Sequence, residues 1–217
     1  MTELIVFCEG KTEERFIDRV VRPVLRHLNV STRNFGGRLK FERVKKSLRN
    51  TLREPGTAYV TTFIDLYALP KDFPDFAATK TLANPLLRVA KLEAAFQTRV
   101  VAAADCRKER FLPHIQPYEF ESLLFADVDQ VARRYPGWSR HVEPLHKARR
   151  KASSPEHIND GPHTHPSMRL AALASPAFDK PLDGPAVAQA IGIARLRSEC
   201  AHFSAWLKRL ERLRPLR

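Results

Sequence analysis

The chain has 217 residues, of which 43% are hydrophobic and 28% are charged, so it can bury a core within one generous domain or a domain with an appended lobe. Lys and Arg number 37 against 24 Asp and Glu, which gives a formal net charge of +13 at pH 7. This charge excludes an acidic, self-solvating protein and favours a polyanionic partner, such as nucleic acid, an acidic protein or a membrane surface.

The sequence carries no recognisable signal for a membrane. Its apolar runs are much shorter than the roughly 20 residues that cross a bilayer. The first residues, Met1–Phe7, lack the basic region of a signal peptide, and acidic Glu9 follows soon after. Cys8, Cys106 and Cys200 are odd in number and far apart, which argues against a disulfide framework and against a zinc site. We expect a cytoplasmic protein without a membrane partner.

The N-terminal segment predicts a strand, a tight turn and a helix. A continuous apolar run from Leu4 to Cys8 is typical of a strand that is buried on both faces. A turn at Gly10 follows, and Thr12 is the predicted N-cap of an amphipathic helix. Pro23 lies inside the apolar pattern and is expected to kink or split that helix.

The next segment predicts a loop, a basic helix and a second strand. Residues 31–40 are predicted as a loop with a short strand near Gly36 and Gly37. A helix follows, and its apolar positions are Phe41, Val44, Leu48 and Leu52. The opposite face of that helix carries Arg43, Lys45, Lys46 and Arg49. A run of β-branched and aromatic residues then predicts a strand that begins at Tyr59 and ends at Asp65.

The rest of the chain predicts one more strand and then mostly helices. Residues 84–103 have a helical pattern, and residues 111–116 read as a strand in which Pro113 indicates an edge position or a bulge. Residues 117–125 are predicted as a helix. Beyond residue 127 we expect a capping box over residues 153–156, a helix starting at Asp183 and a helix over residues 193–213. The alternation predicts an α/β fold with a core domain over residues 1–127 and a helical C-terminal extension over 128–217, packed on the core.

Acidic residues follow each of the three predicted apolar strands, which cover residues 4–8, 59–65 and 111–116. Glu9 and Asp65 each come at the end of a buried strand, and the carboxyl ends of strands are where sites are built in α/β sheets. Two carboxylates that meet there repel each other unless a cation lies between them, and Mg²⁺ is the natural occupant. Glu13 lies one helical turn after Glu9 and is a third candidate ligand. Glu119 and Glu121 follow the third strand, but on a regular helix their side chains would diverge. Solvated or helix-capping roles remain open for each of these acids.

Histidines give a weaker signal than the carboxylates. His157, His163 and His165 are close in sequence, but without cysteine support we do not expect a zinc site. His114 and His146 have no recognisable partner in the sequence. A P-loop motif and a serine nucleophile elbow are both absent from the sequence, which argues against ATP hydrolysis by this chain and against serine hydrolysis.

Several motifs resemble a known family. The E-G-K-T-E segment over residues 9–13, placed after an apolar strand, resembles the opening of Toprim domains in nucleases of the overcoming-lysogenization-defect (OLD) type. Over nearly its full length the chain more closely resembles the Toprim-related domain-of-unknown-function family DUF4276. The matching stretches are VFCEGKTE (6–13), TFIDLYALP (62–70), residues 72–74, residues 111–127 with QPYEFE at 116–121, SPEHINDGP (154–162), and Gly184, Ile191, Gly192, Cys200, Phe203 and Trp206.

The resemblance implies a Toprim fold, a Rossmann-like parallel sheet flanked by helices that binds Mg²⁺, or Mn²⁺ in its place, for phosphodiester chemistry. Glu9 matches the first Toprim acid, Glu13 the second glutamate of the OLD-type opening, and Asp65 the first aspartate of the D-x-D motif. Tyr67 stands where that motif has its second aspartate, which leaves open whether one metal ion or two are bound. Glu119 or Glu121 would have to supply the missing ligand.

The residues and the resemblance together predict a Mg²⁺-dependent nuclease. Lys11 is either a phosphate ligand that stabilises transition-state charge or a solvated lysine. The four basic residues of the second helix could follow a nucleic-acid backbone, with DNA favoured over RNA, or form an ordinary solvated face. The resemblance to nuclease halves of ATPase–Toprim pairs in phage defence implies an ABC- or AAA-type ATPase partner. Two alternative functions remain open: a toxin-like RNase, and a non-catalytic scaffold that binds nucleic acid or the ATPase. The chain could act as a monomer or as a homodimer.

Overall fold

The computed structural model describes residues 1–36, 39–159 and 164–216. Its centre is a parallel sheet with the order β2-β1-β3-β4, in which β5 also pairs with β3. The strands are β1 (Thr2–Cys8), β2 (Leu28–Asn34), β3 (Tyr59–Asp65), β4 (Phe111–Leu112) and β5 (Ile115–Gln116). The predicted α/β class, a parallel sheet flanked by helices, is confirmed and is consistent with a Rossmann-like Toprim fold.

Ten α-helices lie in the described part of the chain. They are α1 (Lys11–Phe16), α2 (Phe41–Arg53), α3 (Phe76–Thr79), α4 (Pro85–Ala104), α5 (Val128–Arg133), α6 (Glu143–Lys151), α7 (Pro166–Ala171), α8 (Lys180–Ile191), α9 (Ile193–Glu199) and α10 (Ala201–Glu211). A 3-10 helix over Phe120–Ala126 precedes α5. Within the described ranges, every helix is too short or too polar to span a bilayer.

The helices cover both faces of the sheet. Leu4 and Val6 of β1 point into one core, where α1, α8 and α10 pack, whereas Ile5 and Phe7 point into a second core with α2 and α4. This alternation explains why β1 reads as a continuous apolar run, because both of its faces are buried. The first core contains side chains from both sides of residue 127, and the division of the chain there stays a prediction.

The C-terminal helix α10 packs directly on the central strand. Trp206, which is 2% exposed, lies with its ring centroid 5.4 Å from that of Phe63, and its indole N–H donates to Thr61 Oγ1 at 2.9 Å. Phe203 and Leu207 of the same helix are fully buried. The apolar stripe of this helix therefore belongs to the core.

The helix after β1 is shorter than predicted. It begins at Lys11, with Gly10 rather than Thr12 as the N-cap, and α-helical hydrogen bonding ends at Phe16. A π-helical turn over Ile17–Val21 and a 3-10 turn that contains Pro23 continue the segment. The segment ends at Val24, one residue after Pro23, so the proline lies in the last turn and does not kink or split a longer helix.

The strand expected near Gly36 is wrong. The actual strand, β2, ends at Asn34 and pairs with β1 along its whole length, from Thr2 beside Leu28 to Cys8 beside Asn34. It lies at the edge of the sheet with four of its seven residues exposed or half-buried at its C-terminal end, so its apolar pattern is weak. Gly37 lies outside the described residues.

The predicted strand over residues 111–116 is interrupted at its proline. Pro113 and His114 separate β4 from β5, and both pieces pair with β3, as expected for proline at a sheet edge. Threonine side chains of β3 bridge the interruption. Thr61 Oγ1 donates to the Leu112 carbonyl, and Thr62 Oγ1 exchanges two 3.0 Å hydrogen bonds with the backbone of His114.

The predicted capping box over residues 153–156 is wrong. Ser154 precedes a 3-10 turn without capping it, and its hydroxyl lies 2.7 Å from Nδ1 of His157. Glu156 is fully buried and accepts hydrogen bonds from the backbone N–H groups of His202 and Phe203, each at 2.9 Å. It therefore caps the first turn of α10, a helix distant in sequence.

Candidate metal and active site

The carboxyl ends of β1 and β3 bring two of the predicted acids together. Asp65 is the last residue of β3 and Glu9 follows the last residue of β1, and these strands are direct neighbours. The backbone N–H of Asp65 points at Glu9 Oε2 at 3.4 Å. Asp65 is 4% exposed and Glu9 is half-buried, so the pair lies at a sheet edge that solvent can reach from the Glu9 side.

The start of α1 adds a third carboxylate. Glu13 is 3% exposed and accepts a 3.0 Å hydrogen bond from the backbone N–H of Gly10 through Oε2. This bond fixes Glu13 over the turn that follows β1. Its charge raises the pKa of both Glu9 and Asp65, which places it within electrostatic reach of the pair.

The segment after β5 adds a fourth carboxylate through an irregular turn. The predicted helix over residues 117–125 is wrong, because Tyr118 has a positive φ of 59° and Glu119 is extended before the 3-10 helix begins at Phe120. The Phe120 N–H donates to Asp65 Oδ1 at 2.8 Å, and Glu121 is fully buried. The turn thus points Glu121 inward, which a regular helix would not do for both glutamates.

A lysine that the sequence did not single out completes the group. Lys180 Nζ, at the first residue of α8, lies 3.1 Å from Glu121 Oε1 and 3.8 Å from Asp65 Oδ2. Its side chain is 39% exposed, so it is accessible from solvent as well as from the carboxylates. We call Glu9, Glu13, Asp65 and Glu121 the acidic cluster, with Lys180 as the cation beside it.

Helix α8 begins at Lys180, not at the predicted Asp183. Asp179 is its N-cap and accepts from Leu182 N at 2.9 Å. Asp183, which is 1% exposed, accepts hydrogen bonds from Arg134 Nε at 3.0 Å and Tyr135 OH at 3.1 Å. The start of the helix is therefore tied to the chain that precedes it, which fixes the backbone of Lys180.

Pro185 lies inside α8 without disrupting it. A proline at this position cannot donate to the carbonyl of Pro181, four residues earlier. Arg15 of α1 takes the missing donor's place, because its Nη1 donates to that carbonyl at 2.8 Å. The defect in the helix is thus used to attach α8 to the helix that carries Glu13.

Gly184 allows α8 to approach the acidic cluster closely. A Cβ at this position would lie 2.8 Å from Cε1 of Phe120 and 3.6 Å from Cγ2 of Thr12. The Phe120 ring cannot move away freely, since it packs on Phe16 with centroids 5.1 Å apart. Only glycine fits at this contact between α8 and the residues that hold Asp65.

We expect Gly184→Ala to lower the free energy of unfolding by about 1–3 kcal/mol, the usual cost of overpacking, although alanine is the better helix former. Gln189→Ala, at an exposed position of the same helix, is the matched control and should change stability by less than about 0.5 kcal/mol. Urea unfolding measures both. Equal midpoints for the two variants would contradict the close contact at Gly184.

Burial and mutual repulsion raise the pKa values of the acidic cluster. Burial raises the pKa of Asp65 well above its ordinary range, and Glu13 adds to this effect, while Lys180 opposes it. Burial, followed by repulsion from Glu13, also raises the pKa of Glu9. The pKa of Glu121 is raised from 4.5 to about 7 by burial, despite the attraction of Lys180. One lysine therefore does not neutralise the cluster.

The acidic cluster fits a hard divalent cation. Its donor atoms are carboxylate oxygens, the ligands that Mg²⁺ prefers. Glu121 Oε2 is buried without a hydrogen-bond partner among the described residues, and Oε1 lies 3.1 Å from Lys180 Nζ, its ion-pair partner. Such an unsatisfied buried carboxylate is costly unless a proton or a metal ion accompanies it.

Glu119 is held beside the cluster rather than in it. Its carboxylate accepts from the Ser167 backbone N–H at 2.9 Å and from the Ser167 hydroxyl at 3.0 Å, and it lies 3.2 Å from Nδ1 of His165. Its charge still adds to the repulsion on Glu9 and Glu121. Of the two glutamates predicted as substitutes for the missing aspartate, Glu121 is the one that lies beside Asp65.

Tyr67, at the place of the missing aspartate, forms a polar contact of its own. Its hydroxyl accepts a hydrogen bond from Asn159 Nδ2, and its ring lies edge-on to His165 with centroids 5.8 Å apart. Burial, followed by the charge effects of Tyr118 and Glu119, raises the pKa of Tyr67 to about 12. The hydroxyl is thus neutral at physiological pH and does not replace a carboxylate.

The predicted basic residues lie outside the acidic cluster. Lys11 is exposed at the start of α1 and forms no ion pair with the described acids. On α2, Arg43 donates to the Gly36 carbonyl at 3.0 Å, and Lys45 pairs with Glu42 at 2.7 Å. The remaining two basic residues of this face are Lys46, which is exposed, and Arg49, which is half-buried.

Sequence reasoning found the acids but missed their partners. Lys180, His165 and Ser167 all come from the C-terminal half and follow no strand. The local signal near Lys180 was Asp179, a residue type that often caps helices and that precedes Lys180 directly. It could have predicted where α8 begins, but it does not show that the Lys180 side chain faces the acidic cluster. His163 and the other residues of 160–163 lie outside the described residues.

Comparison with known proteins gives a family and little more. No curated protein and no solved structure matches the chain. The sequence profile of the family described as "Domain of unknown function (DUF4276)" matches residues 8–211, nearly the whole chain, so the protein belongs to this family.

Proposed function

We propose that the protein is a Mg²⁺-dependent nuclease of Toprim type that hydrolyses the phosphodiester bonds of nucleic acid at the acidic cluster. The observation that carries the proposal is the convergence of four carboxylates and one lysine at the carboxyl end of a parallel sheet. Carboxylates in excess of the cations around them are typical of a divalent-metal site. Mn²⁺ has the same preference for oxygen ligands and is proposed as a substitute.

The residues of the chain have separate tasks in this proposal. Glu9, Asp65 and Glu121 would hold the metal ion, which would polarise a scissile phosphate and lower the pKa of an attacking water. Lys180 is close to the carboxylates and accessible from solvent, so its ammonium group can reach a phosphate oxygen and stabilise transition-state charge. Lys11, exposed at the rim, is a second candidate for a phosphate contact.

The basic face of α2 supports a nucleic-acid substrate. The segment that leads into α2 continues from the same sheet edge, because the Phe35 N–H donates to the Cys8 carbonyl at 3.1 Å. Arg43, in the first turn of α2, bonds to Gly36 of that segment. The basic face therefore begins next to the edge that carries Glu9 and could guide a polyanion toward it.

We expect Lys46→Glu combined with Arg49→Glu to weaken nucleic-acid binding by about 10–100-fold and to flatten its salt dependence, because fewer counterions are released. The control is Lys208→Glu combined with Arg212→Glu, which makes the same change in net charge. Lys208 is an exposed residue of α10, and Arg212 is the exposed residue that follows this helix. Fluorescence anisotropy with labelled DNA and RNA at several salt concentrations measures both. Equal losses in the two variants would show that only net charge matters.

A non-catalytic scaffold is the second candidate function. The observation that favours it is the contact of Lys180 with Asp65 and Glu121, which partly neutralises the cluster without a metal ion. Tyr67 in place of an aspartate points the same way. A scaffold would bind nucleic acid or an ATPase through the basic face, and it would tolerate neutral substitutions in the acidic cluster.

Cleavage assays separate the two candidates. The purified protein is incubated with plasmid, linear duplex DNA, single-stranded DNA and RNA, in Mg²⁺, Mn²⁺ or EDTA, beside a Glu9→Gln variant. We expect the wild-type protein to cleave nucleic acid, preferentially DNA, when metal is present. The Glu9→Gln variant should have lost this activity. The ABC- or AAA-type ATPase and the role in phage defence rest on the resemblance to OLD-type nucleases, so the assay is repeated with the ATPase and ATP. No cleavage in either form would overturn the nuclease proposal in favour of the scaffold.

A further inference from the structure

A second group of metal-binding side chains lies away from the acidic cluster. Glu93 of α4, His114 between β4 and β5, and His202 of α10 place one ligand atom each within 4.8 Å of one another. Glu93 Oε1 lies 2.9 Å from His202 Nε2 and 3.8 Å from His114 Nδ1. The partners of His114 are not recognisable in the sequence, because these three residues come from distant parts of the chain.

A chain of hydrogen bonds favours the tautomer of His114 in which Nε2 carries the proton. The Ser122 hydroxyl donates to the Pro117 carbonyl at 3.5 Å, so its oxygen accepts from Gln116 Nε2 at 3.1 Å. The amide orientation this requires turns Gln116 Oε1 toward His114 Nε2, 3.3 Å away. His114 Nε2 is therefore the donor, and Nδ1 carries a lone pair.

That lone pair is buried and without a partner. His114 is 1% exposed, and its Nδ1 has no hydrogen-bond partner among the described residues. It faces Glu93 Oε1, which is also an acceptor and already receives hydrogen bonds from Ile115 N at 2.7 Å and His202 Nε2. Two acceptors that face each other in a buried site repel unless a cation lies between them.

We infer that Glu93, His114 and His202 form a binding site for a transition-metal ion, with Zn²⁺ as the best fit. Two imidazole nitrogens and one carboxylate oxygen suit Zn²⁺ and Co²⁺ and are a poor set for Mg²⁺. Bonds of about 2.0–2.1 Å in a tetrahedron separate the ligand atoms by about 3.3 Å, and the two measured separations lie on either side of this value.

The surroundings of the site match those of known metal ligands. The ring nitrogen of His114 that faces away from the site donates to Gln116, as metal-bound histidines usually do to a second group. The side chains of Glu93 and His202 are 12% and 14% exposed, which leaves an entry path from solvent. The two imidazoles stack with an interplanar angle of 22°, so the more exposed ring, His202, must turn to share an ion with His114. Its Nε2 must also release the proton that it donates to Glu93, as metal binding to histidine requires.

Co²⁺ absorption spectroscopy tests this site in the full-length protein. The chelator-treated protein is titrated with Co²⁺ in excess Mg²⁺, which occupies oxygen-only sites. We expect one Co²⁺ per chain, with the intense visible absorption of a four-coordinate ion, and displacement by Zn²⁺. His202→Gln is the deciding variant, because a substitution of His114 in the core could prevent folding. It should lower the Co²⁺ affinity at least about 100-fold, which is the upper end of the loss expected when only a residue that supports a metal ligand is replaced. His146→Gln is the control, because His146 is half-buried and pairs with Asp129 instead of this site. It should bind Co²⁺ with the affinity of the wild-type protein.

The same titration can overturn the inference. No absorption at equimolar Co²⁺, or the weak absorption of six-coordinate Co²⁺, would show that the group holds only a proton. Equal Co²⁺ affinity in wild type and in a folded His202→Gln variant would place the ion elsewhere. If circular dichroism shows that His202→Gln does not fold, Glu93→Gln takes its place, with the same expected loss and the same contrary result.

Discussion

Replacing Asp65 by asparagine is expected to abolish metal-dependent cleavage and, in the absence of metal, to stabilise the protein. Cleavage should fall by at least about 10²–10³-fold, the loss seen when a group that stabilises transition-state charge is removed. Asparagine keeps an oxygen for the 2.8 Å hydrogen bond from Phe120 N, so the fold should be retained. It loses the negative charge that the metal ion needs.

The stabilisation follows from the raised pKa of Asp65. At neutral pH the wild-type protein either buries a charge among three other carboxylates or binds a proton to avoid it, and both are unfavourable. Asparagine avoids both, so we expect a gain in the free energy of unfolding of about 1–3 kcal/mol in EDTA. Asp72→Asn, at an exposed position, is the control and should change neither quantity. A variant that is less stable than wild type in EDTA would contradict the repulsion within the acidic cluster.

Glu121 should make the metal-free protein less stable as the pH rises. Its pKa is about 7 in the folded protein against an ordinary 4.5, so the folded state binds this proton more tightly than the unfolded chain does. The resulting stability is fully present below about pH 4.5 and is lost as the pH rises through about 7. The loss is on the order of 3 kcal/mol, because each pKa unit corresponds to about 1.4 kcal/mol.

The contribution of Glu121 is measured as the difference between wild type and Glu121→Gln. We expect the variant to be more stable than wild type at pH 8 in EDTA and the advantage to shrink toward pH 5. Titratable groups outside the acidic cluster are present in both proteins, so their contributions cancel in the difference. Glu3→Gln, which is exposed, should show no such pH-dependent advantage. A constant difference between wild type and Glu121→Gln from pH 5 to pH 8 would contradict the raised pKa.

The sequence was sufficient for the strands that carry the acids. β1 and β3 are buried on both faces, so they read as continuous apolar runs, and the acid at the end of each run is visible without a structure. The edge strand β2 was misplaced because its outer residues are polar. Local periodicity thus located the central strands, Glu9 and Asp65, but not the edge of the sheet.

The geometry around Glu121 could not be predicted from local sequence. The inward position of Glu121 depends on the positive φ of Tyr118, which no local pattern required. Lys180 reaches the acidic cluster because Gly184 permits the close approach of α8 and Arg15 attaches that helix to α1. Both contacts join segments that are distant in the chain, and tertiary packing decides them.

The most direct test of the central claim is a Mn²⁺ binding measurement by electron paramagnetic resonance, which detects the free aqueous ion. The full-length wild-type protein is compared with Asp65→Asn and Asp72→Asn, first with Mn²⁺ alone and then with excess Mg²⁺. The account predicts that wild type and Asp72→Asn bind Mn²⁺ that Mg²⁺ displaces, and that Asp65→Asn binds it at least about tenfold more weakly, which corresponds to 1.4 kcal/mol or more. Equal Mn²⁺ affinity in all three proteins, or no Mn²⁺ binding that Mg²⁺ displaces, would contradict a metal site at the acidic cluster.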